Sequence, residues 1–217
     1  MGRAKIKRGS TNVDMTAMCD VAFLLLSFFI LTGQFKPSEA VEVSPPNSVS
    51  NKHAPQKDAF TVSIDKDNRV FVNLTDDIKA DIWDELVSEK NMKVTPDDKK
   101  NFLATDFVGV PFSQLLEFLK IPSDQKKNVK MPGIPTDSTD NELQAWIQAA
   151  ATAGQGKKLN FLIKGDNNSK YPAFGSVIDA FKKNDIFKYN LITNAEDVPP
   201  GTVLYEENLK AQQSGGK

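Results

Sequence analysis

The chain has 217 residues, 40% of them hydrophobic, and a formal net charge of −1. That length and apolar content allow one ordinary globular domain with additional segments, and the near-zero charge argues against a nucleic-acid partner, which needs a broad positive surface. One cysteine and one histidine exclude a disulfide framework and argue against a histidine-based triad or a zinc site. We expect no cofactor and no metal.

The first predicted element is a transmembrane helix. The 21 residues from Met15 to Phe35 contain one charged residue, and at about 1.5 Å per residue they span the roughly 30 Å hydrocarbon layer. A basic cluster precedes them: Arg3, Lys5, Lys7 and Arg8. Because cytoplasmic flanks carry an excess of basic residues, residues 1–13 are predicted to be cytoplasmic. The chain after the helix then lies outside, which in a bacterium means the periplasm.

A secretory signal peptide is the rival interpretation, since a basic head followed by about 7–15 apolar residues also describes one. Asp14 and Asp20 lie where the apolar core of such a peptide should begin, and no small-x-small cleavage site follows Leu31. We therefore predict an uncleaved, lipid-contacting helix over residues 14–35.

Asp20 is the informative residue of this helix. A carboxylate inside a membrane helix costs about 2.5–3.5 kcal/mol on insertion scales, so a chain that keeps one uses it as an ion carrier or as half of a buried pair. Thr16 and Ser27 lie on the same face, because residues three, four and seven apart share one side of a helix. Their hydroxyls either orient the carboxyl group or only bond to helix carbonyls.

Asp14 has two interpretations: a cap at the start of the helix, or a partner contact near the cytoplasmic mouth. The alternative for Asp20 is that it caps the helix itself, at the level of the lipid headgroups. That arrangement leaves an apolar run of only 11 residues, Val21–Leu31, which is too short to span a membrane.

The stretch from Asp14 to Phe29, DMTAMCDVAFLLLSFF, resembles the membrane-helix pattern of the ExbD/TolR family of biopolymer-transport motor subunits, D-M-T-P-x-x-D-x-x-F-x-L-L-x-F-F. Weaker similarity to the family continues in residues 60–72, 161–166, 171–172 and 191–193. Two departures are clear. Ala17 replaces a frequent proline, and about 80 residues, 76–156, are inserted after the first hairpin.

The resemblance implies that Asp20 is the proton-carrying aspartate of a single-pass inner-membrane motor subunit. Such a subunit couples the proton motive force to a TonB-like protein, which energises outer-membrane transport. The implied partners are an ExbB-like multi-helix membrane subunit, expected as a pentamer, and a second copy of this chain in a homodimer. A TolR-like subunit of the Tol-Pal system is the sibling alternative, and sodium is an alternative to the proton.

Other classes of protein fit the sequence less well. A flagellar-stator-like anchor shares the helix with its aspartate but requires a peptidoglycan-binding domain, and the outer region offers no convincing candidate. An anchored binding module gives Asp20 no role. An enzyme is not expected, because the chain shows no nucleophile–base pair or phosphate loop. Asp166, close to Lys164, is interpreted as part of a turn at a strand end.

Outside the membrane, residues 36–58 are predicted to form a linker, either a passive spacer or a segment whose residues 41–46 dock as a strand on the folded domain or on a partner. Residues 41–43 are its candidate strand. Residues 60–64 and 70–74 alternate apolar and polar side chains around a turn at residues 65–68, which predicts a hairpin.

The insertion, residues 76–156, is predicted to be largely helical. The expected helices cover residues 78–89, a segment capped by Thr95 with Pro96 in its first turn, residues 112–119, and residues 141–153 with Ser138 or Asp140 as cap. The second helix is expected to bury Phe102, Leu103, Phe107 and Val108. Residues 125–137 are expected to be a polar loop with a turn at residues 131–135.

The chain closes with a strand over residues 159–163, a helix over 172–184 and a strand over 188–192, a βαβ unit. A polar tail covers residues 206–217. The predicted fold class is therefore a single N-terminal transmembrane helix followed by an ExbD/TolR-like periplasmic α+β domain, residues 59–205. Its mixed sheet packs against helices, and the largely helical insertion interrupts it.

Overall fold

The computed structural model of the chain describes residues 15–32, 41–50, 53–55, 57–126, 129–137, 141–156, 158–203 and 205–206. The chain divides into two compact units, Met1–Ser38 and Glu39–Lys217. The predictions for residues 1–14, for 33–35 and for the tail beyond residue 206 lie outside the described residues.

The described part of the first unit is helix α1, Met15–Thr32, with 18 residues. None of its side chains is buried within the chain. It is long and apolar enough to cross a membrane, since 18 residues extend about 27 Å at 1.5 Å per residue. The predicted apolar helix near the N-terminus is confirmed.

The second unit is built on a hairpin of strands β2, Ala59–Ile64, and β3, Val70–Leu74. They pair antiparallel with Val62 opposite Val72, as the alternation predicts. The turn is held by Asp65, whose carboxylate accepts hydrogen bonds from the backbone N–H groups of Asp67 at 2.9 Å and Arg69 at 2.8 Å.

Strand β5, Asn160–Gly165, lies parallel to β2 and places the C-terminal part of the chain next to the hairpin. Helix α7, Tyr171–Lys183, connects it to strand β6, Asn190–Leu191, which lies parallel to β5. The predicted βαβ unit is confirmed, with a shorter last strand. Strand β4, Phe107–Val108, completes a mixed sheet of order β4-β3-β2-β5-β6.

The described residues of the insertion form strand β4 and five helices: α2, Asp76–Lys90; α3, Pro96–Leu103; α4, Phe112–Leu119; α5, Ser123–Lys126; and α6, Glu142–Ala153. Its largely helical character is confirmed. Helix α3 begins as predicted, because the Thr95 hydroxyl accepts from the Asp98 N–H while the Asp98 carboxylate accepts from the Thr95 N–H. This reciprocal pair satisfies two backbone donors that a helix start leaves without partners.

An aromatic row lies inside the insertion. The centroid of the Phe102 ring lies 4.6 Å from that of Trp83 and 6.1 Å from that of Trp146, and the centroids of Phe112 and Trp146 are 5.6 Å apart. Trp83 and Trp146 are fully buried. These rings join helices α2, α3, α4 and α6 into one core with the sheet.

The prediction that Phe107 and Val108 lie on the helix starting at Pro96 is wrong. The helix ends at Leu103, which is 37% exposed, and Phe107 and Val108 pair antiparallel with β3. The edge of β3 offers unpaired backbone groups, and pairing with them outweighs the extension of a short helix by five residues, 104–108. Helix spacing alone does not reveal that competition.

Two further expectations for the insertion are corrected. Asn141 caps α6, accepting from the Gln144 N–H, in place of Ser138 or Asp140, which lie outside the described residues. The loop after α5 is not simply polar, since Met131 and Ile134 are buried. Its Ile134 N–H donates to the Val70 carbonyl at 2.8 Å, which places this loop along the β3 edge beside β4.

Gly133 makes that close approach possible. Its φ of +96° is a conformation that favours glycine. A Cβ atom at this position would lie 3.1 Å from the Val70 nitrogen and 3.2 Å from the Arg69 Cα atom. Any larger residue would therefore push the loop away from β3.

Candidate functional site

Asp20 is the only charged residue on α1 and lies in its second turn. Like its neighbours on α1 it is exposed. A helix in lipid cannot satisfy a carboxylate from its own backbone, since its N–H groups are already bonded within the helix. The side chain therefore requires protein or water beyond its own helix.

Thr16 and Ser27 lie on the Asp20 face of α1, four residues before and seven after it, as the sequence indicated. At about 1.5 Å of rise per residue, their Cα atoms lie roughly 6 Å and 10 Å from Asp20 along the helix axis. The Ser27 hydroxyl donates to the Leu24 carbonyl at 2.9 Å. This bond supports the interpretation that the Ser27 hydroxyl bonds to a helix carbonyl rather than orienting the Asp20 carboxyl group. Asp14, the predicted cap or partner contact, lies outside the described residues.

A second functional feature is the described part of the linker around residues 44–48, which is bound to the folded domain. Strand β1, Asn47–Ser48, pairs parallel with strand β7, Asn194–Ala195. The prediction that the linker docks on the domain as a strand is confirmed, but the strand lies at Asn47–Ser48 rather than at residues 41–43. Pro45 and Pro46 explain the shift, because proline has no N–H for a ladder and the strand forms only after them.

Asp166 anchors the same segment. One of its carboxylate oxygens accepts from the Ser44 N–H at 2.8 Å and the other from the Asn168 N–H at 2.9 Å. These bonds, that from Ser44 above all, lower the pKa of Asp166. In return the Asn167 N–H donates to the Ser44 carbonyl at 2.9 Å.

Asp166 is in a strand-end turn, as predicted, but its contact with the linker was missed. The run Gly165-Asp166-Asn167-Asn168 is typical of a turn in which an Asp side chain bonds the backbone two residues on. That local pattern was visible in the sequence. The partner, Ser44, is 122 residues away, and no sequence pattern indicated it.

The docked linker forms one wall of a cleft of about 520 Å³. The hairpin turn and the insertion loop around Met131 form other walls, and Arg69 joins these two by donating to the Met131 carbonyl at 3.0 Å. The Asp65 carboxylate at the cleft already accepts bonds from Arg69. Among the described residues, no cluster of three or more His, Cys, Asp or Glu side chains is arranged to hold a metal ion.

Comparisons with known proteins agree with this architecture. A family model described as Biopolymer transport protein ExbD/TolR matches residues 7–196. The chain is 33% identical over 76 residues to the biopolymer transport protein exbD2 of Vibrio cholerae serotype O1, which covers 34% of this chain and 54% of that protein. The chain thus spans about half the length of this curated relative. No solved structure matches the chain.

Proposed function

This chain belongs to the ExbD/TolR family of biopolymer transport proteins, and on that premise we propose that it is the single-pass, proton-carrying subunit of an energy-converting complex in the inner membrane. Its N-terminus is cytoplasmic and its α+β domain periplasmic. Its partners are an ExbB-like multi-helix subunit and a second copy of itself. The complex drives a TonB-like protein that energises transport across the outer membrane. It catalyses no covalent chemistry.

The observation that carries the proposal is the position of Asp20. A single carboxylate lies on an otherwise apolar 18-residue helix, with none of the helix side chains buried within the chain. In lipid this arrangement costs about 2.5–3.5 kcal/mol. That cost is removed when a partner helix bundle surrounds α1 and offers Asp20 a hydrated path.

Proton coupling follows from the two forms of the side chain. Neutral Asp20 faces a low-dielectric wall at small cost, whereas ionised Asp20 requires water or a positive partner. A proton taken up from the periplasmic side and released to the cytoplasm therefore decides which partner surface Asp20 faces. One elementary charge moved through 100 mV supplies about 2.3 kcal/mol, so a few protons drive a mechanical step.

The docked linker supports transmission of that step. Ten residues, 33–42, separate the end of α1 from the buried Val43. At about 3.3–3.6 Å per residue a fully extended segment of this length reaches at most roughly 35 Å. Movement of the helix thus reaches the domain through a short tether ending at the Ser44–Asp166 bond.

The test replaces Asp20 by Asn in cells of the source organism and compares Ser27→Ala as the control. We expect Asp20→Asn to accumulate normally and to abolish energised uptake through outer-membrane receptors. Ser27→Ala should retain uptake, because the hydroxyl already donates to the Leu24 carbonyl of its own helix. Uptake at the normal rate in Asp20→Asn would refute the proposal.

A second readout separates the two roles within the family. If the load is a TonB-like protein, Asp20→Asn stops receptor-dependent uptake and leaves the outer membrane intact. If the protein is TolR-like, the same variant instead makes the outer membrane permeable to periplasmic markers while uptake continues. The similarity to an exbD2 protein favours the first outcome.

A further inference from the structure

The cleft of about 520 Å³ is formed by four separate parts of the folded domain. It is lined by three residues of the linker between positions 41 and 44, by four of the hairpin between 65 and 71, by three of the insertion, 129–131, and by two of the turn after β5. Its volume lies within the roughly 300–1,000 Å³ range of clefts that hold small molecules. We call it the linker cleft.

Two of the three carboxylates that line the linker cleft are already occupied. Asp65 is buried, accepts from two backbone N–H groups of its own turn, and holds the Arg69 guanidinium at 2.7 and 2.6 Å. Asp166 accepts from the N–H groups of Ser44 and Asn168 and from the Asn168 side chain. A carboxylate has about four acceptor sites, so these two groups have little capacity left for a positively charged ligand.

The positive charges of Lys66 and Lys130 are not occupied in this way. Both side chains are exposed, and they line the linker cleft from two different parts, the hairpin turn and the insertion loop. Neither forms a hydrogen bond or an ion pair with another described residue, and the same is true of Glu42 on the linker. Two ammonium groups and one carboxylate are therefore available to a ligand, which favours an anion.

Apolar side chains line the same cleft. Phe71 and Met131 are buried, and Val41 and Val129 are half-buried. An inorganic anion would contact only the ammonium groups and would leave this apolar surface without a partner. A molecule with an apolar body and an anionic group uses both kinds of contact, since burial of apolar surface adds to the attraction between charges. The lining therefore selects a small organic anion.

The linker cleft is complete only while the linker is docked. Val41, Glu42 and Ser44 belong to its lining, and Ser44 is held in place by the Asp166 carboxylate at 2.8 Å. When the linker is released, the cleft loses this part of its lining. A ligand that contacts the linker and the rest of the domain binds the docked state more tightly, and it therefore shifts the equilibrium toward docking.

We propose that the linker cleft binds a small organic anion, a carboxylate on an apolar body, and that this ligand holds the linker on the domain. Lys66 and Lys130 bind the anionic groups, and the apolar lining covers the body of the ligand. The insertion contributes residues 129–131, so the site depends on the segment that interrupts the domain. The inference goes beyond the proposed function and does not depend on it.

Equilibrium dialysis of the full chain in lipid nanodiscs tests the site, with empty nanodiscs as the blank. The probe is naphthalene-2,6-dicarboxylate, followed by its absorbance, and naphthalene-2,6-dicarboxamide is the neutral control of the same size. We expect saturable binding of the dicarboxylate with a Kd of about 0.1–1 mM and binding of the dicarboxamide that is weaker by at least about tenfold. Equal binding of the two molecules, or no saturable binding of the dicarboxylate, would overturn the proposal.

Variants of the lining charges locate the bound probe. Lys66→Ala and Lys130→Ala should each weaken binding about 1.5- to fivefold, the contribution of an ion pair with an exposed ammonium group. Glu42→Gln should strengthen binding by a similar factor, because it removes a charge of the same sign as the probe. Lys188→Ala is the matched control, since Lys188 is exposed and lies outside the lining. An unchanged Kd in the Lys66→Ala, Lys130→Ala double variant, or an equal loss in Lys188→Ala, would contradict the proposal.

Hydrogen exchange followed by mass spectrometry tests the effect on the linker. With the probe at ten times its Kd, exchange of the peptide that covers residues 43–48 should slow about tenfold. Asn194→Ala should weaken probe binding from outside the lining, because it removes the side-chain bond to the Pro45 carbonyl of the docked linker. Binding of the probe without slower exchange would overturn the proposal. Asp20→Asn should change neither the Kd nor the exchange, so a failure of this site and a failure of the motor are separate results.

Discussion

Replacement of Asn194 by Ala removes one bond that holds the docked linker. The Asn194 side chain donates from Nδ2 to the Pro45 carbonyl at 2.9 Å, while its backbone N–H donates separately to Pro46. Alanine keeps the backbone bond and deletes only the side-chain bond. We therefore expect the linker to be released more often without unfolding of the domain.

The balance of free energies makes the docked state sensitive. Besides the bond to the Asp166 carboxylate, four hydrogen bonds hold the docked linker: from the Asn167, Asn194 and Glu196 N–H groups to Ser44, Pro46 and Ser48, and from the Asn194 side chain to Pro45. Together they stabilise the docked state by about 2–6 kcal/mol, at about 0.5–1.5 kcal/mol each. Burial of Val43, 7% exposed, contributes about another 1.5–2 kcal/mol. Ordering residues 43–48 costs about 6–12 kcal/mol at 1–2 kcal/mol per residue, less for the two prolines. The opposing contributions nearly cancel.

Loss of the Pro45 bond should therefore raise the population with a released linker about two- to thirteenfold, the equivalent of about 0.5–1.5 kcal/mol. Hydrogen exchange followed by mass spectrometry on the full chain measures this as faster exchange of the peptide that covers residues 43–48. Asn190→Ala is the control, since Asn190 is exposed on the preceding strand β6 and has no hydrogen bond to the described linker residues. Unchanged exchange in Asn194→Ala, or equal acceleration in both variants, would contradict this account of docking.

Three further predictions concern the folded domain. Thr95→Ala should lower the free energy of unfolding by about 0.5–2 kcal/mol, because it removes the α3 cap. Hydrogen bonds from Thr95 lower the pKa of Asp98, so the Asp98 carboxylate stabilises the domain above a pH of about 4. Acid titration of unfolding should show that this stability is lost as the pH falls through the lowered pKa. Trp146→Phe should lower the free energy of unfolding by less than about 1.5 kcal/mol in chemical denaturation, because the buried indole N–H has no partner among the described residues. Trp146→Ala should lower it by about 3–5 kcal/mol. Equal losses of stability in the two variants would contradict this interpretation of the N–H. Lys126→Met should leave stability unchanged or raise it, because burial lowers the pKa of the Lys126 amine, whose hydrogen bond is to the Thr105 hydroxyl at 2.6 Å. Thr105→Val should instead cost about 1–3 kcal/mol, because it leaves the amine without that hydrogen bond. A large loss of stability in Lys126→Met would contradict this reasoning.

Local patterns predicted much of this fold because each was complete within a few residues. Alternating apolar side chains on both sides of a four-residue turn defined the β2–β3 hairpin, and its register followed. Thr95, Pro96 and Asp98 defined the start of α3 for the same reason, since all partners of a helix cap lie within one turn. The apolar α1 with its single aspartate was likewise readable from residues 15–32 alone.

Contacts between distant segments could not be predicted in this way. Phe107 and Val108 leave the helical pattern only because the β3 edge is open to them, and that edge forms 35 residues earlier in the chain. Val41–Val43 has better strand composition than Asn47–Ser48, yet the prolines and the position of Asn194 decide where the linker pairs. Under the proposed function the surface that faces Asp20 belongs to another chain, so no pattern within this sequence indicates it.

The central claim is that Asp20 carries the ion. Its most direct test is proton flux into vesicles that contain the full chain together with the multi-helix partner subunit of the same organism, under an imposed membrane potential. The account predicts flux with Asp20 and background leakage with Asp20→Asn at equal amounts of assembled complex. Equal flux with and without the carboxylate would contradict it.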